Sequence, residues 1–170
     1  MWVVAVERVL VVLHNVYSVQ RVVELARVAY GLGFSTLVVS RAQGAAAQSG
    51  VPEAQKLALK KGRNLFYVAD LPDVLELFKP DLALMFVPRE YAERAFDAGE
   101  VARAVAEGRR VALVFGGSEP GLSRRELDMG VAVYLEGADD DLGAVGTAAI
   151  ALYLVRRELR ARSASPASRD

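Results

Sequence analysis

The sequence predicts a single α/β domain: a three-layer arrangement in which a mostly parallel sheet of about six strands carries helices on both faces. Short β-branched runs alternate with longer amphipathic stretches along the chain, which is the pattern of strand–helix units. Runs such as "RVLVVLH" at 8–14 are continuously apolar, as is typical of strands buried on both faces of a parallel sheet. With 170 residues, the chain has room for one domain with a substantial core. We expect this domain to span residues 1–162, with a flexible polar tail at 163–170.

Each predicted strand is a run of β-branched, leucine or aromatic residues. The predicted strands are 8–14, 34–40, 64–69, 81–87, 109–115 and 130–135. Between the first two strands, Val19, Val22 and Ala26 recur at helical spacing, and either Asn15 or Ser18 caps the helix that they predict.

The other predicted helices are recognised mainly by their boundary residues. Pro52 lies in the first turn of one helix and Gly62 at its end, and Asp70 caps the next. The small residues of "RAQGAAAQSG" at 41–50 predict a loop instead. Helices are predicted over 51–62, 71–78, 89–108 (as one or two helices) and 144–162.

Composition excludes several classes of protein. The chain has no cysteine, so a disulfide framework and thiolate metal ligands are excluded. No apolar run approaches the roughly 20 residues that span a bilayer, and no basic segment precedes the apolar start as in a signal peptide. We therefore expect a soluble, cytoplasmic protein without a membrane partner. Lys+Arg and Asp+Glu are both 21, and this balance gives no indication of a nucleic-acid partner.

The segment "FGGSEPGLSRREL" at 115–127 follows the fifth predicted strand. Ser123 and Glu126 have the spacing of a capping box, in which each side chain accepts the backbone N–H of the other residue. That explains the helix start but not Gly116, Gly117 and Gly121, which open the backbone to a ligand. A plain turn and a ligand loop both fit these residues, whereas a phosphate cradle is disfavoured because the P-loop lysine is missing.

Three further features have a functional and a structural interpretation. The aspartates of "EGADDDLG" at 136–143 fit a divalent cation, but an exposed loop at the N-terminus of the last helix is favoured. His14 ends the first predicted strand, where a packed or capping side chain is favoured over a catalyst. Arg27 is spaced to pair with Glu24 on a solvated helix face.

Taken together, the two loops resemble the C-terminal motifs of the SPOUT methyltransferases of the SpoU/TrmH-like branch. Residues 117–122 are similar to the family's G-x-E-x-x-G-L loop, shortened by one residue, and 137–143 have the spacing of its G-x-x-x-S-L-N loop. A helix rich in small residues follows the second loop, as in the family. The segment "LARVAYGLGFSTLVV" is similar to the family's R-T-A-x-x-F-G-x-x-x-V-V, with Arg27 on the arginine.

This resemblance implies a C-terminal trefoil knot, a homodimer and S-adenosyl-L-methionine held by the knot loops. The implied activity is an S-adenosylmethionine-dependent methyltransferase acting on RNA. The residues that the resemblance places at the cofactor are Phe86, Val87, Pro88, Phe115, Gly116, Gly117, Gly121, Leu135, Gly137 and Leu142.

The expected catalytic residues are Arg27, Glu119 and Asp141. The chain departs from the family pattern here, because Asp141 and Gly143 replace the serine and asparagine of S-L-N. Two alternatives therefore stay open: a knotted module without catalysis that binds RNA or a protein, and a generic nucleotide-binding α/β domain. The basic segments 56–63 and 155–162 fit either phosphate contacts or solvated helix faces, and the latter is slightly favoured.

Overall fold

In the computed structural model, which describes residues 5–164, seven parallel strands form one sheet in the order β3-β2-β1-β6-β4-β7-β5. The strands are β1 (Val9–Val16), β2 (Thr36–Ala42), β3 (Asn64–Val68), β4 (Leu82–Phe86), β5 (Arg94–Ala95), β6 (Val111–Gly116) and β7 (Val131–Tyr134). Six of them correspond to the six predicted strands, so the predicted fold class is confirmed. The two-residue β5 adds an edge that the sequence pattern did not reveal.

Among the α-helices that lie wholly within residues 5–164, five lie between strands and one follows β7. They are α1 (Val19–Gly31), α2 (Val51–Lys61), α3 (Leu71–Phe78), α4 (Ala98–Ala106), α5 (Arg124–Leu127) and α6 (Gly143–Ala164). None of the helices within residues 5–164 is long and apolar enough to cross a membrane.

The two faces of the sheet are covered unequally. Alternate residues of the central strands, such as Val11 and Leu13 on β1, pack with α1, α2, α4 and α6 in the larger core. The intervening residues, such as Val12 and Val114, pack with the shorter α3 and α5 in a smaller core. The helices lie on both faces, as predicted, and every strand runs towards the same edge.

Local capping chemistry fixes several helix starts. Ser18, and not Asn15, caps α1, since its side chain accepts the Arg21 N–H at 3.2 Å. Asp70 caps α3 in a capping box with Asp73. The predicted capping box of Ser123 and Glu126 starts α5.

Three local expectations need correction. Residues 46–50, expected to be loop, form a π-helical turn (Ala46–Gly50), because the chain runs directly into α2 and packs Gly50 on α1. Residues 89–108 contain a 3₁₀ turn (Arg89–Tyr91) and β5 before α4, since the backbone at 93–96 hydrogen-bonds to β7. Of the expected tail, residues 163 and 164 continue α6, and 165–170 lie outside the described residues. The trefoil knot stays a prediction.

Candidate functional site

The loops that follow β1, β2, β4, β6 and β7 gather at the carboxyl edge of the sheet, where open parallel sheets bind ligands. Two adjoining depressions open there. The larger, which we call the loop groove, has a volume of about 950 Å³ and lies between residues 86–93, 115–122 and 134–144. The smaller, the His14 cleft, has a volume of about 490 Å³ and shares residues 118–122 with the groove. Both volumes lie in the range of small-molecule sites.

The loop groove brings together most of the site residues that the sequence predicted. Its lining includes Phe86, Val87, Pro88, Phe115, Gly116, Glu119, Gly121, Leu135, Asp141 and Leu142. Phe86 stacks on Phe115 with ring centroids 4.6 Å apart and forms an apolar floor. Gly117, Gly137 and Arg27 are not part of this lining, and Arg27 is exposed on α1.

Charge distinguishes the groove from the rest of the chain. Although the whole sequence has a net charge of zero, the groove lining carries seven carboxylates against two guanidinium groups. Asp141 accepts the Gly143 N–H at 2.9 Å at the start of α6. This contact agrees with the structural interpretation of the triple-aspartate loop as an exposed loop at the N-terminus of the last helix.

Gly117 has a packing role. A Cβ atom at this position would lie 2.7 Å from the Val16 Cβ and 2.9 Å from the Asn15 carbonyl oxygen. The Gly117 N–H donates to the His14 carbonyl at 2.8 Å, and the Arg21 guanidinium donates to the Gly117 carbonyl at 2.7 Å. Ser118 then accepts from the Asn15 amide at 3.0 Å. The start of the 116–122 loop is thus fixed against the end of β1.

Arg41, Asp70 and Glu126 line the His14 cleft, and the buried His14 lies behind them in contact with Glu126; we call these four side chains the His14 cluster. His14 lies two residues before the end of β1, opposite Ser40 on β2 and Gly116 on β6. Its side chain is fully buried, and that of Glu126 is 8% exposed, whereas those of Asp70 and Arg41 are 38% and 40% exposed. The cluster therefore has a buried half and a half that opens into the cleft.

Hydrogen bonds hold the two side chains of the buried half and lower the pKa of Glu126. His14 Nε2 lies 2.8 Å from Glu126 Oε1, and its Nδ1 lies 2.8 Å from Ser40 Oγ. Burial raises the pKa of Glu126, but hydrogen bonds from the Ser123 backbone N–H and from His14 outweigh it, so the net pKa is lowered. The ionised Glu126 has only acceptor atoms, so in this contact the hydrogen bond is donated by His14 Nε2–H.

Arg41 joins the two carboxylates of the cluster. Its Nη2 lies 2.9 Å from Asp70 Oδ1, and its Nη1 lies 3.3 Å from Glu126 Oε1. Partial burial raises the pKa of Asp70, but the Leu71 N–H and the Arg41 guanidinium lower it by more, so the pKa lies below its ordinary value. Asp70 is consequently ionised at neutral pH.

Two residues of the cleft have an uncommon backbone conformation. Asn15 and Arg41, at the ends of the adjacent strands β1 and β2, have φ values of 60° and 48°. The left-handed region costs an L-residue roughly 1–2 kcal/mol, and such conformations cluster at functional sites. Gln43 donates to the Asn15 side chain at 3.2 Å and so links the two strand ends.

Asn15, Arg41, Asp70 and Glu126 did not emerge as site residues from the sequence. Capping alone accounted for Asn15, Asp70 and Glu126, and packing or capping accounted for His14. The available signal was position, because His14, Arg41 and Asp70 each lie at or just after the carboxyl end of a predicted strand.

The fold of this chain is that of the SpoU-type methyltransferases. A "probable methylase family protein" from Haemophilus influenzae aligns with a TM-score of 0.74 at 18% identity, over 93% of this chain and 67% of that chain. A "Probable Methyltransferase" from Bordetella pertussis gives 0.73 at 21% identity, over 93% and 98%. The SpoU methyltransferase AviRb from Streptomyces viridochromogenes, in complex with AdoMet, gives 0.66 at 17% identity, over 92% and 61%. At these identities the likeness concerns the fold.

Sequence comparison shows the family to which the chain belongs. A family model described as "RecB-family nuclease (DUF2122)" matches residues 44–154. "Putative type II restriction enzyme ApeKORF2002P" of Aeropyrum pernix is 46% identical over 88% of this chain and 93% of that protein. "Putative type II restriction enzyme MjaORF1200P" of Methanocaldococcus jannaschii is 32% identical over 89% and 99%. The chain belongs to the DUF2122 family.

These relatives correct the functional expectation. The prediction of an S-adenosylmethionine-dependent methyltransferase that modifies RNA is wrong, because the family and both relatives are described as nucleases or restriction enzymes. The alternative was a binding module without catalysis, and neither the family nor the two relatives are described in that way. The SPOUT resemblance was correct for the fold, and fold alone does not determine chemistry.

Proposed function

We propose that this chain is a nucleic-acid phosphodiester hydrolase whose active site is the His14 cleft. The observation that carries the proposal is the 46% identity, over 88% of the chain, to the Aeropyrum pernix protein described as a restriction enzyme. The cleft supports it with an ionised carboxylate and a guanidinium, both half-exposed, at the carboxyl edge of the sheet.

Each member of the His14 cluster then has a distinct role. Hydrolysis of a phosphodiester needs an oriented water and stabilisation of charge on the phosphoryl oxygens. Arg41 has the planar, multiply donating group that suits those oxygens. Asp70 is a weak base because its pKa is lowered, so we assign it the orientation of the attacking water. His14 and Glu126 act as positioning residues that hold Arg41 from the buried side.

The direct test is a cleavage assay with duplex DNA and with structured RNA, each in Mg²⁺ and in EDTA. We expect the wild type to cleave one of them and Asp70→Asn to lower the rate by at least about a hundredfold. Asp97→Asn is the matched control, because Asp97 also caps a helix, pairs with an arginine and has a lowered pKa. Asp97 does not line either depression. A purified, folded wild type that cleaves neither substrate under any of these conditions would refute the proposal.

A second proposal concerns binding only: the loop groove holds S-adenosyl-L-methionine or a similar ligand. It is supported by the convergence of residues 86–88, 115–121 and 135–142 on one groove with an apolar floor, and by the cofactor described for AviRb. Calorimetry with S-adenosylmethionine should detect binding that Gly121→Trp abolishes. No heat at millimolar ligand would exclude it.

We also propose three properties that the sequence predicts: an RNA substrate, a homodimer and a cytoplasmic location. RNA is retained as one of the two substrates in the cleavage assay. The homodimer is tested by sedimentation equilibrium, where a single species of monomer mass would contradict it. A cytoplasmic location is tested by cell fractionation.

A further inference from the structure

Many nucleases hold paired divalent cations about 3.5–4 Å apart by carboxylate ligands. The His14 cluster offers the donor types for one such ion, because His14 Nε2 lies 2.8 Å from Glu126 Oε1 and 3.9 Å from Asp70 Oδ1. Within residues 5–164, however, no group of three or more His, Cys, Asp or Glu side chains is suited to hold a metal ion.

Two contacts explain why these three donors do not fit a metal. First, the Arg41 guanidinium lies between the carboxylates and donates to both, so the position facing Asp70 and Glu126 is already taken by a cation. Second, His14 Nε2 lies 2.8 Å from Glu126 Oε1, and while it donates a hydrogen bond there it has no lone pair for a metal.

We propose that Arg41 takes the place of a divalent cation in the His14 cluster, so that phosphodiester cleavage in this cleft needs no metal bound there. In this arrangement the guanidinium neutralises the two ionised carboxylates in part and presents its remaining N–H donors to the substrate phosphate. The inference rests on the proposed hydrolase function for its catalytic meaning. The position of the Arg41 guanidinium between Asp70 and Glu126 does not depend on that function.

A consequence specific to this arrangement is that removal of the Arg41 side chain should create a metal site. In Arg41→Ala, Asp70 and Glu126 lose their common cation. His14 Nε2 can then join them as a ligand when its proton moves to Nδ1, where the Ser40 hydroxyl can accept it; in the wild type the same exchange leaves the guanidinium in place. A histidine with two carboxylates then suits a first-row dication such as Mn²⁺.

The experiment titrates the full-length chain with Mn²⁺ and measures the free ion by electron paramagnetic resonance. We expect Arg41→Ala to bind one Mn²⁺ with an affinity on the order of tenfold or more above that of the wild type. The double variant Arg41→Ala/Asp70→Asn should lose this gain. Arg103→Ala, which removes the arginine of another aspartate pair, should behave as the wild type. Arg41→Lys keeps a positive charge and should also show no gain.

Two results would overturn the inference. One is a wild-type chain that binds Mn²⁺ tightly and loses it in Asp70→Asn, since the metal would then coexist with Arg41. The other is a folded Arg41→Ala that binds no better than the wild type. If Arg41→Ala does not fold, the wild-type titration still decides the first point. If the chain cleaves neither substrate, the hydrolase proposal is refuted, but the Mn²⁺ titration still tests whether Arg41 replaces a metal. Cleavage that persists in EDTA would support both the hydrolase proposal and the inference about Arg41.

Discussion

Gly117 offers a sharp test of how the site is assembled. Substituting alanine would place a Cβ atom 2.7 Å from Val16 Cβ, 2.9 Å from the Asn15 carbonyl oxygen and 3.1 Å from Val16 Cα. Ordinary contacts lie at 3.4–4 Å, and two of these three atoms belong to the backbone. A rotamer change cannot relieve this overlap, so the loop has to move by about 1 Å from β1.

The cost follows from the contacts that this movement weakens. They are the Gly117 N–H bond to His14, the Arg21 bond to the Gly117 carbonyl and the bond between Asn15 and Ser118. Overpacking at a tight site costs about 1–3 kcal/mol. With a slope of about 4 kcal/mol per molar in guanidinium chloride, a loss of about 2 kcal/mol lowers the unfolding midpoint by about 0.5 M.

The measurement is guanidinium chloride unfolding followed by circular dichroism at pH 7. Gly121→Ala is the matched control, because Gly121 lies in the same loop and an added Cβ there meets no atom within 4 Å. We expect the control to stay within about 0.5 kcal/mol of the wild type. A midpoint for Gly117→Ala within about 0.1 M of the wild type would refute the packing role of this glycine.

Two further predictions concern stability. Gly130→Ala should be destabilising by at least about 1 kcal/mol, because its Cβ would lie close to the Ala83 carbonyl oxygen; an unchanged urea midpoint would contradict this. Since the pKa values of Glu126 and Asp70 are lowered in the folded chain, the unfolded chain binds more protons in acid. The free energy of unfolding should therefore fall as the pH drops from about 5 through the folded pKa values, and Glu126→Gln should show a shallower fall; equal pH slopes would contradict the assignment.

The fold could be predicted from the sequence because the central strands have a distinctive composition. β1, β2 and β6 are buried on both faces, and short, continuous runs of valine and leucine are typical of such strands. β5 has only two residues, paired with β7 through backbone bonds, so no residue pattern encodes it. The π-helical turn likewise depends on the packing of Gly50 against α1, which is a tertiary contact.

The site could be predicted only in part. The two glycine-containing loops were expected to share a groove through the resemblance to a family, and they line the same one. The His14 cluster was missed because Asp70 and Glu126 cap helices and contact Arg41 at the same time, so capping alone accounted for their presence in the sequence. Asn15 and Arg41 have a left-handed backbone because tertiary structure imposes it. Neither residue type requires this conformation, so it could not be predicted from the sequence.

The acidic lining of the loop groove has a kinetic consequence. A nucleic acid that enters the loop groove meets repulsion from the seven carboxylates and attraction from the two arginines of its lining, although the chain as a whole is neutral. Dissolved salt shortens the reach of that repulsion to about 8 Å at physiological ionic strength. Encounters between a polyanion and the loop groove should thus become faster as ionic strength rises, the reverse of the behaviour of proteins that attract nucleic acids through basic patches.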